Sequence, residues 1–578
     1  MSSIDLKLIA SRLAQARNLQ DLSAETVSTD TGIAPERLAI IENGSAAPSG
    51  DELLILANYY VRDFRDFIDP SRPEPFKQTD ILYRRHGETF TPNDRRAIQE
   101  FLFLCEIEAT LQKEMGLQHT PFAFEPSSYD LHKIQGTKAA AALRLALGHH
   151  GAQIPLDVYA DFRQIGLHIF RRRLATSEIS GLYIEHPIAG HCILVNYDDD
   201  IYRQRFSASH EAAHAIFDSS DAVSVSYLRG SSRYNQQDLK ELRANRFASC
   251  YLMPPEHLPN VHHWDTQQAM RWAQALKVST EALSFALLTA QHIDQDTAKL
   301  IRSVRVPMAD KVDPEAPDYL TEVQVSRRKR LLERGLSDYY VGLCFEAHQQ
   351  TTRRHAKSRF FTAGASSMSY DPARFAPVSV VDTCAIWNML SSLRINQAAS
   401  QAKLEFCVTP VVLYECLQKP RPNITTEQQT LIKRLRNERA AGRFPVQECS
   451  LNDLLAISSK APGRLGSGEL SCIATAYRIR SIALMTDEKL ARNYAKDRLG
   501  LQVETTPRLY GYLHFHLHLG GADHDEVIKE HERFERRPLT PFFNQTFHEA
   551  MRCRLMANTA SIVASHSSSL AKAQDGNQ

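Results

Sequence analysis

His210, Glu211 and His214 lie in the run RQRFSASHEAAHAIF, where residue type and spacing could together do chemistry. The run reads as a helix from about Ser207, with Ser207 or Ser209 as its cap and Ala212, Ala213 and Ala215 favouring it. Residues four apart share a helix face, so both imidazoles can reach one tetrahedral zinc ion. Glu211 then stands beside the open coordination position, placed to take a proton from an attacking water and pass it to a leaving amine. A second helix, DLKELRANRFASCYLMPP, offers Glu241 as a third ligand and stops at Pro254–Pro255. The strand-like HCILVNYDDD in front supplies a wall for a peptide-binding cleft.

A second set is acidic. PVSVVD reads as a buried strand that delivers Asp382, and SIALMTD delivers Asp487 in the same way. VTPVVLYECL places Glu415 on a helix after a strand, and LGSGELSCIATAYRI opens a helix with Glu469. The carboxyl ends of parallel strands are where α/β folds carry their chemistry. Four converging carboxylates cannot all stay ionised without a cation, and Mg2+ or Mn2+ would satisfy them through oxygen ligands.

The amino terminus reads as a small helical bundle. Ile9, Leu13 and Ala16 share a helical face. LSAETVSTDTGIAPERLAIIENG then gives a helix from about Ser23, a turn at Thr31–Gly32, a second helix from about Ala34 and a stop at Gly44. A glycine turn between short helices is the helix-turn-helix signature.

These elements need several cores. A chain of 578 residues predicts three or four domains. Apolar residues at 43% and charged residues at 23% fit folded globular protein. The 68 basic and 67 acidic residues nearly cancel, so a nucleic-acid surface must come from local patches. The ten cysteines include no C-x-x-C pair, which predicts free thiols in a reducing compartment. The first thirty residues lack the apolar core of a signal peptide, and no run of 18 apolar residues predicts a membrane span. A cytoplasmic protein is expected.

The expected segments are 1–70 for the helix-turn-helix, 71–130 for a helical linker, 131–365 for the HExxH region, 376–520 for the acid-bearing α/β region and 521–578 for an extension. The linker holds Pro70, Pro73 and Pro75 and an amphipathic helix around Asp94–Lys113; a loose segment spans Thr362–Pro377. The end, SIVASHSSSLAKAQDGNQ, reads as a frayed tail.

Three resemblances follow. RQRFSASHEAAHAIF, then ELRANRFA and LMP, resembles the ImmA/IrrE metallopeptidases, and RRKRLLERGLSDYYVGLCFEA is similar to the distal part of proteins in that family. The resemblance covers roughly residues 135–360. It implies zinc held by His210, His214 and Glu241, Glu211 as base, and a helix-turn-helix repressor as substrate. Ala212–Ala213 stand where that family often has a larger residue and Gly, which bears on cleft shape.

The amino terminus resembles the XRE/Cro-like repressors, down to Ile41–Glu42–Asn43–Gly44 and the ELLILANYY helix. In that family the second helix enters the major groove of DNA. Here it would present Pro35, Glu36 and Arg37, with Ala34, a poorly basic set, so a protein-interaction module of the same fold stays open.

VVDTCAIW, then Glu415, GSGELSCIATA and LMTDEKLARNYA resemble the PIN-domain nucleases over about residues 378–515. That resemblance implies metal-assisted hydrolysis of single-stranded or structured RNA by Asp382, Glu415, Glu469 and Asp487, with Thr383 as an auxiliary hydroxyl. Asp487–Glu488 stands where the family often has two aspartates.

The fold class expected is multidomain: an all-α helix-turn-helix, an α+β zincin-like metallopeptidase and an α/β PIN-like domain with a parallel sheet. The expected role is a hydrolase with zinc and Mg2+ or Mn2+, fused to a DNA-binding module, acting in a stress-response, mobile-element or toxin–antitoxin system, with a repressor, DNA and RNA as partners. The alternative is a DNA-binding regulator or antitoxin-like protein with non-catalytic peptidase and PIN folds. Five features predict no site. His514, His516 and His518 read as one solvated face of a strand, and His262–His263 as a loop. Arg171–Arg173 and Arg327–Arg330 read as solvated edges, and Asp198–Asp200 as an exposed loop.

Overall fold

The computed structural model describes residues 5–575 except 73–78, 80–81, 83–89, 128, 177, 219–222, 228–235, 318, 348, 350–370, 422–423, 459–460, 463–464 and 535–538. Pro73, Pro75 and most of the segment Thr362–Pro377 lie outside the described residues. The chain forms two compact units, one of residues 1–14, 23–68 and 365–578, the other of residues 15–22 and 69–364.

In the second unit, apolar runs make a four-stranded sheet ordered β1-β3-β2-β4. Strand β1 is His168–Arg172, β2 Ile179–His186, β3 Gly190–Asn196 and β4 Val223–Tyr227. β1 runs parallel to β3, while β2 is antiparallel to both β3 and β4. β2 and β3 are buried along nearly their whole length, which is why they read as continuous apolar runs. The HExxH helix, Ile201–Phe217, packs across them. The Glu241 helix, Gln236–Leu252, packs on the HExxH helix and on the helix His132–Ala146. That last crossing is close enough to require Gly136, where a Cβ would lie 2.6 Å from the Arg243 carbonyl oxygen.

Several local readings change. The HExxH helix starts at Ile201, not near Ser207, because Asp200 caps it by accepting from the Tyr202 N–H and no breaker interrupts IYRQRF. Ser209 sits inside it, its hydroxyl donating to the Arg205 carbonyl. Asp198–Asp200 is therefore partly a cap and not simply an exposed loop. The arginine clusters are solvated edges only in part: Arg173, Arg327, Lys329 and Arg330 are exposed, whereas Arg171 and Arg328 turn to acidic partners. Arg171 is buried and pairs with Asp313 at 3.0 Å and Glu315 at 2.5 Å. Arg163 meets Glu315 at 2.7 Å and Arg328 meets Asp313 at 2.8 Å. Five charges from distant segments satisfy one another there, and removing one would strand a buried partner. The helix predicted around Asp94–Lys113 spans Pro92–Met115 behind a Thr91–Asp94 capping box.

In the first unit the sheet order is β6-β5-β7-β8, and every neighbouring pair is parallel. β5 is Val378–Val381, β6 Glu405–Cys407, β7 Ala483–Met485 and β8 Val503–Glu504. The helix-turn-helix of this unit has Ser23 as cap of the helix Ala24–Thr31, Gly32 in the left-handed region at φ 76°, and a second helix Pro35–Glu42. YLHFHLHLG is not a strand. Thr505 caps a helix Thr506–Phe515, Pro507 fits its first turn, and the three histidines scatter. His514 is buried against Tyr510 and Phe547, while the exposed His516 donates to the Ala373 carbonyl. The tail expected to fray belongs mostly to a helix, Thr540–Asp575, since no Gly or Pro follows Pro541 until Gly576.

Candidate functional site

The HExxH and Glu241 helices bring His210, His214 and Glu241 together, the only such group of potential metal ligands among the described residues. The two Nε2 atoms lie 3.1 Å apart, and Glu241 approaches them at 3.2 and 3.4 Å. A tetrahedral zinc with bonds of about 2.0–2.1 Å sets its ligand atoms about 3.3–3.4 Å apart. The triangle therefore has the size of one face of such a coordination sphere.

Hydrogen bonds fix which nitrogen faces inward. Asn245 Oδ1 accepts from His210 Nδ1 at 3.1 Å, and Asp218 Oδ2 accepts from His214 Nδ1 at 3.1 Å. Each Nε2 is left with its lone pair towards the other, an arrangement that repels unless a cation lies between. Electrostatics agree. Burial lowers the proton affinity of His214, yet Asp218 and Glu241 outweigh it and push the ring up to about 10. Burial raises Glu241, but both histidines hold it well below the usual carboxylate range. The pocket wants positive charge, and two imidazoles with one carboxylate are a donor set that suits zinc.

Glu211 is wholly buried and lies against β2 at Gly181, where a Cβ would stand 3.1 Å from its Oε1. Any larger residue at 181 would displace the carboxylate. Asp218, Asn245 and Gly181 were not singled out from sequence. Asp218 follows His214 by one helical turn and Asn245 follows Glu241 by one, so helical spacing carried the signal for both. Asp218 is held in turn by Arg243 at 2.5 Å.

The acids of the other unit lie near enough to shift one another's ionisation, without closing to the spacing of the first group. Asp382, at the end of β5, caps the next helix and accepts from Ala385 N–H at 2.8 Å and from the Thr486 hydroxyl. Thr383 donates its hydroxyl to Glu415. Glu415 also accepts from the Gly468 N–H at 3.1 Å, and a Cβ on Gly468 would lie 2.6 Å from that carboxylate. This explains the glycine in Gly-Ser-Gly-Glu. Asp487 accepts from Asn388 Nδ2 at 2.8 Å and from the Thr506 N–H at 2.9 Å. Burial, reinforced by Asp487 and Glu469, pushes Asp382 up to about 8 against its hydrogen bonds. Burial and then Glu415 push Glu469 up to about 6. An all-oxygen donor set that resists its own ionisation fits a hard divalent cation. Thr486, Asn388 and Thr506 are further residues that sequence reasoning missed.

The expected DNA-reading residues do not form a basic face. Pro35 opens its helix and Glu36 is exposed. Arg37 is partly exposed and paired, its Nε and Nη2 donating to Glu52 at 2.8 and 2.7 Å and Nη2 also to the Ala47 carbonyl at 2.8 Å.

Three family models match the chain in order: a helix-turn-helix over residues 13–67, a peptidase family described as the IrrE N-terminal-like domain over 162–288, and a PIN domain over 378–507. The protein is thus multidomain, with a helical amino-terminal helix-turn-helix, a mixed α+β peptidase-like middle and a PIN-like region on a parallel sheet. The peptidase and PIN matches indicate hydrolase chemistry, and both families are in general metal-dependent. No curated protein matches the chain. No helix among the described residues is long and apolar enough to cross a membrane.

Proposed function

We propose that this chain is a zinc-dependent endopeptidase that cleaves a helix-turn-helix repressor, joined to a Mg2+- or Mn2+-dependent PIN-type ribonuclease in a stress-response, mobile-element or toxin–antitoxin system. The observation that carries the reading is the His210–His214–Glu241 triangle, with its Nε2 lone pairs turned inward and its edges of 3.1–3.4 Å. The division of labour follows the sequence segments, residues 131–365 for peptide cleavage and 376–520 for RNA.

In the peptidase, His210, His214 and Glu241 hold the metal, and Asp218 and Asn245 keep both rings in the ligating tautomer. A bound zinc ion would supply Lewis acidity at the scissile carbonyl and lower the pKa of water towards neutrality. Glu211 takes the proton of the attacking water and returns it to the amine nitrogen as the C–N bond breaks. Its burial against Gly181 keeps bulk water from competing for that proton. In the nuclease, Asp382, Glu415, Glu469 and Asp487 hold the cations, and Thr383 and Gly468 orient Glu415. Bound Mg2+ or Mn2+ would there supply charge neutralisation for a leaving oxygen.

The alternative of a non-catalytic DNA-binding regulator loses support from Arg37, whose guanidinium is committed to Glu52. The test of the favoured reading is mass spectrometry of helix-turn-helix repressors incubated with zinc-loaded protein. Discrete fragments with the wild type and none with Glu211→Gln are expected. Intact substrates throughout would overturn it.

A further inference from the structure

The helix-turn-helix and the acid-bearing region share one compact unit, and their junction is built around a buried acid. Asp51, in the first turn of the helix Gly50–Tyr59, is 1% exposed. It accepts from the Cys449 N–H at 2.6 Å and from the Ser471 hydroxyl at 2.5 Å. The Gly50 and Asp51 N–H groups, which a helix start leaves without intrahelical partners, donate to the Cys449 carbonyl at 2.9 and 3.3 Å. Gly50 leaves no space, since a Cβ there would lie 2.6 Å from the Ser450 carbonyl oxygen. Elsewhere on the same face, Gly32 of the helix-turn-helix turn lies against the Gln418 side chain, and Arg65 donates to the Ala461 carbonyl at 3.2 Å.

Where these contacts land matters. Ser471 stands two residues after Glu469 on the helix Ser467–Arg478. Gln418 stands three residues after Glu415, in the π-helical turn Tyr414–Gln418. Two of the four acids thus sit on elements that the amino-terminal module touches. The same helix Ser467–Arg478 meets β5 through Cys472, whose thiol donates to the Val381 carbonyl at 3.5 Å, one residue before Asp382.

We propose that the helix-turn-helix module serves as a brace for the acid cluster, with Asp51 as its principal positioning residue acting through Ser471. The inference rests on the reading of Asp382, Glu415, Glu469 and Asp487 as a divalent-cation site. Four repelling carboxylates relax apart unless their backbones are held, and a buried acid taking two hydrogen bonds is a fixed anchor for one of them. The fold best known for reading DNA here meets its own chain, with Asp51 tied to Ser471 and Gly32 set against Gln418.

The test is Mn2+ titration of the zinc-loaded full chain by electron paramagnetic resonance, with single-stranded RNA cleavage in parallel. Asp382→Asn should abolish the cluster's Mn2+ binding. Asp51→Ala should weaken it about tenfold, the lower end for partners that orient ligands. Ser471→Ala should weaken it in the same sense, and the double variant should be no worse than the poorer single one, since both remove one bond. A purely structural role would lower thermal stability and leave Mn2+ affinity unmoved. Wild-type affinity in folded Asp51→Ala and Ser471→Ala, beside loss in Asp382→Asn, would overturn the brace alone. Should Asp51→Ala not fold, Ser471→Ala decides. Equal Mn2+ binding by wild type and Asp382→Asn would remove the cation site, and the brace with it.

Discussion

Around His210, His214 and Glu241, two imidazoles and one carboxylate face a common point, while Asp382 has the acids Asp487 and Glu469 for charged neighbours. The first centre is assembled by local helical spacing, and its outer partners Asp218 and Asn245 lie one turn further along the same two helices. The second is assembled from strand ends and helix starts far apart in sequence, steadied by hydroxyls, backbone N–H groups and an amide. Without an ion the first draws in a proton, raising His214, whereas the second suppresses ionisation of Asp382 and Glu469. Local geometry can preorganise a site of mixed charge. A site of like charge needs bracing from outside.

Glu211→Gln should retain zinc and lower peptide cleavage by about 10²–10⁴-fold, the usual worth of a positioned general base; steady-state kinetics on a cleaved repressor reads it. Asp218→Ala should leave the three ligands but cost about 10–100-fold in zinc affinity, measured by competition with a chelator. An unchanged affinity would show that the tautomer does not need fixing.

Asp382→Asn should act in the opposite sense on stability. Above about pH 8, where Asp382 ionises, relieving about 1 kcal/mol of carboxylate repulsion would raise the melting temperature of metal-free protein by about 2–4 °C, and Asn remains a good helix cap. Differential scanning calorimetry with and without Mn2+ should show the ion stabilising the wild type and not the variant.

The smallest effect concerns pH. His531 is wholly buried; its Nε2 accepts from the Leu539 N–H at 2.9 Å, so Nδ1 is the protonated nitrogen and donates to Ser391 Oγ at 2.7 Å. Burial pushes its pKa down to about 4, against about 6.5 in an unfolded chain. A depressed pKa means the stability is whole above about pH 6.5 and is lost as pH falls towards 4. His514 shifts the same way, to about 4 and also by burial. His531→Phe should therefore make the fall in melting temperature between pH 7 and pH 5 shallower without removing it.

The sequence made legible what depends on short spacing. His210 and His214 are marked by helical period, Glu211 by its place between them, Glu241 by the separate helix that follows, and Gly32 by the turn it must make. The acids were readable as strand ends, and the parallel order of β5 to β8 follows from the helices between them. What escaped depends on distant partners. Arg171 looks like a solvated charge until Asp313 and Glu315 meet it, and Arg37 like a DNA contact until Glu52 does. Asp51 looks like an ordinary first-turn acid complementing a helix dipole, and nothing local reveals Ser471. The alternating histidines misled because their period of two outweighed the Thr505 cap and Pro507 in the reading.

Elemental analysis after exhaustive dialysis, with His210→Ala and Glu241→Ala beside the wild type, decides whether His210, His214 and Glu241 hold zinc. About one zinc per wild-type chain is expected, lost in both variants. A folded wild type without zinc, or zinc that survives in both variants, would contradict that expectation.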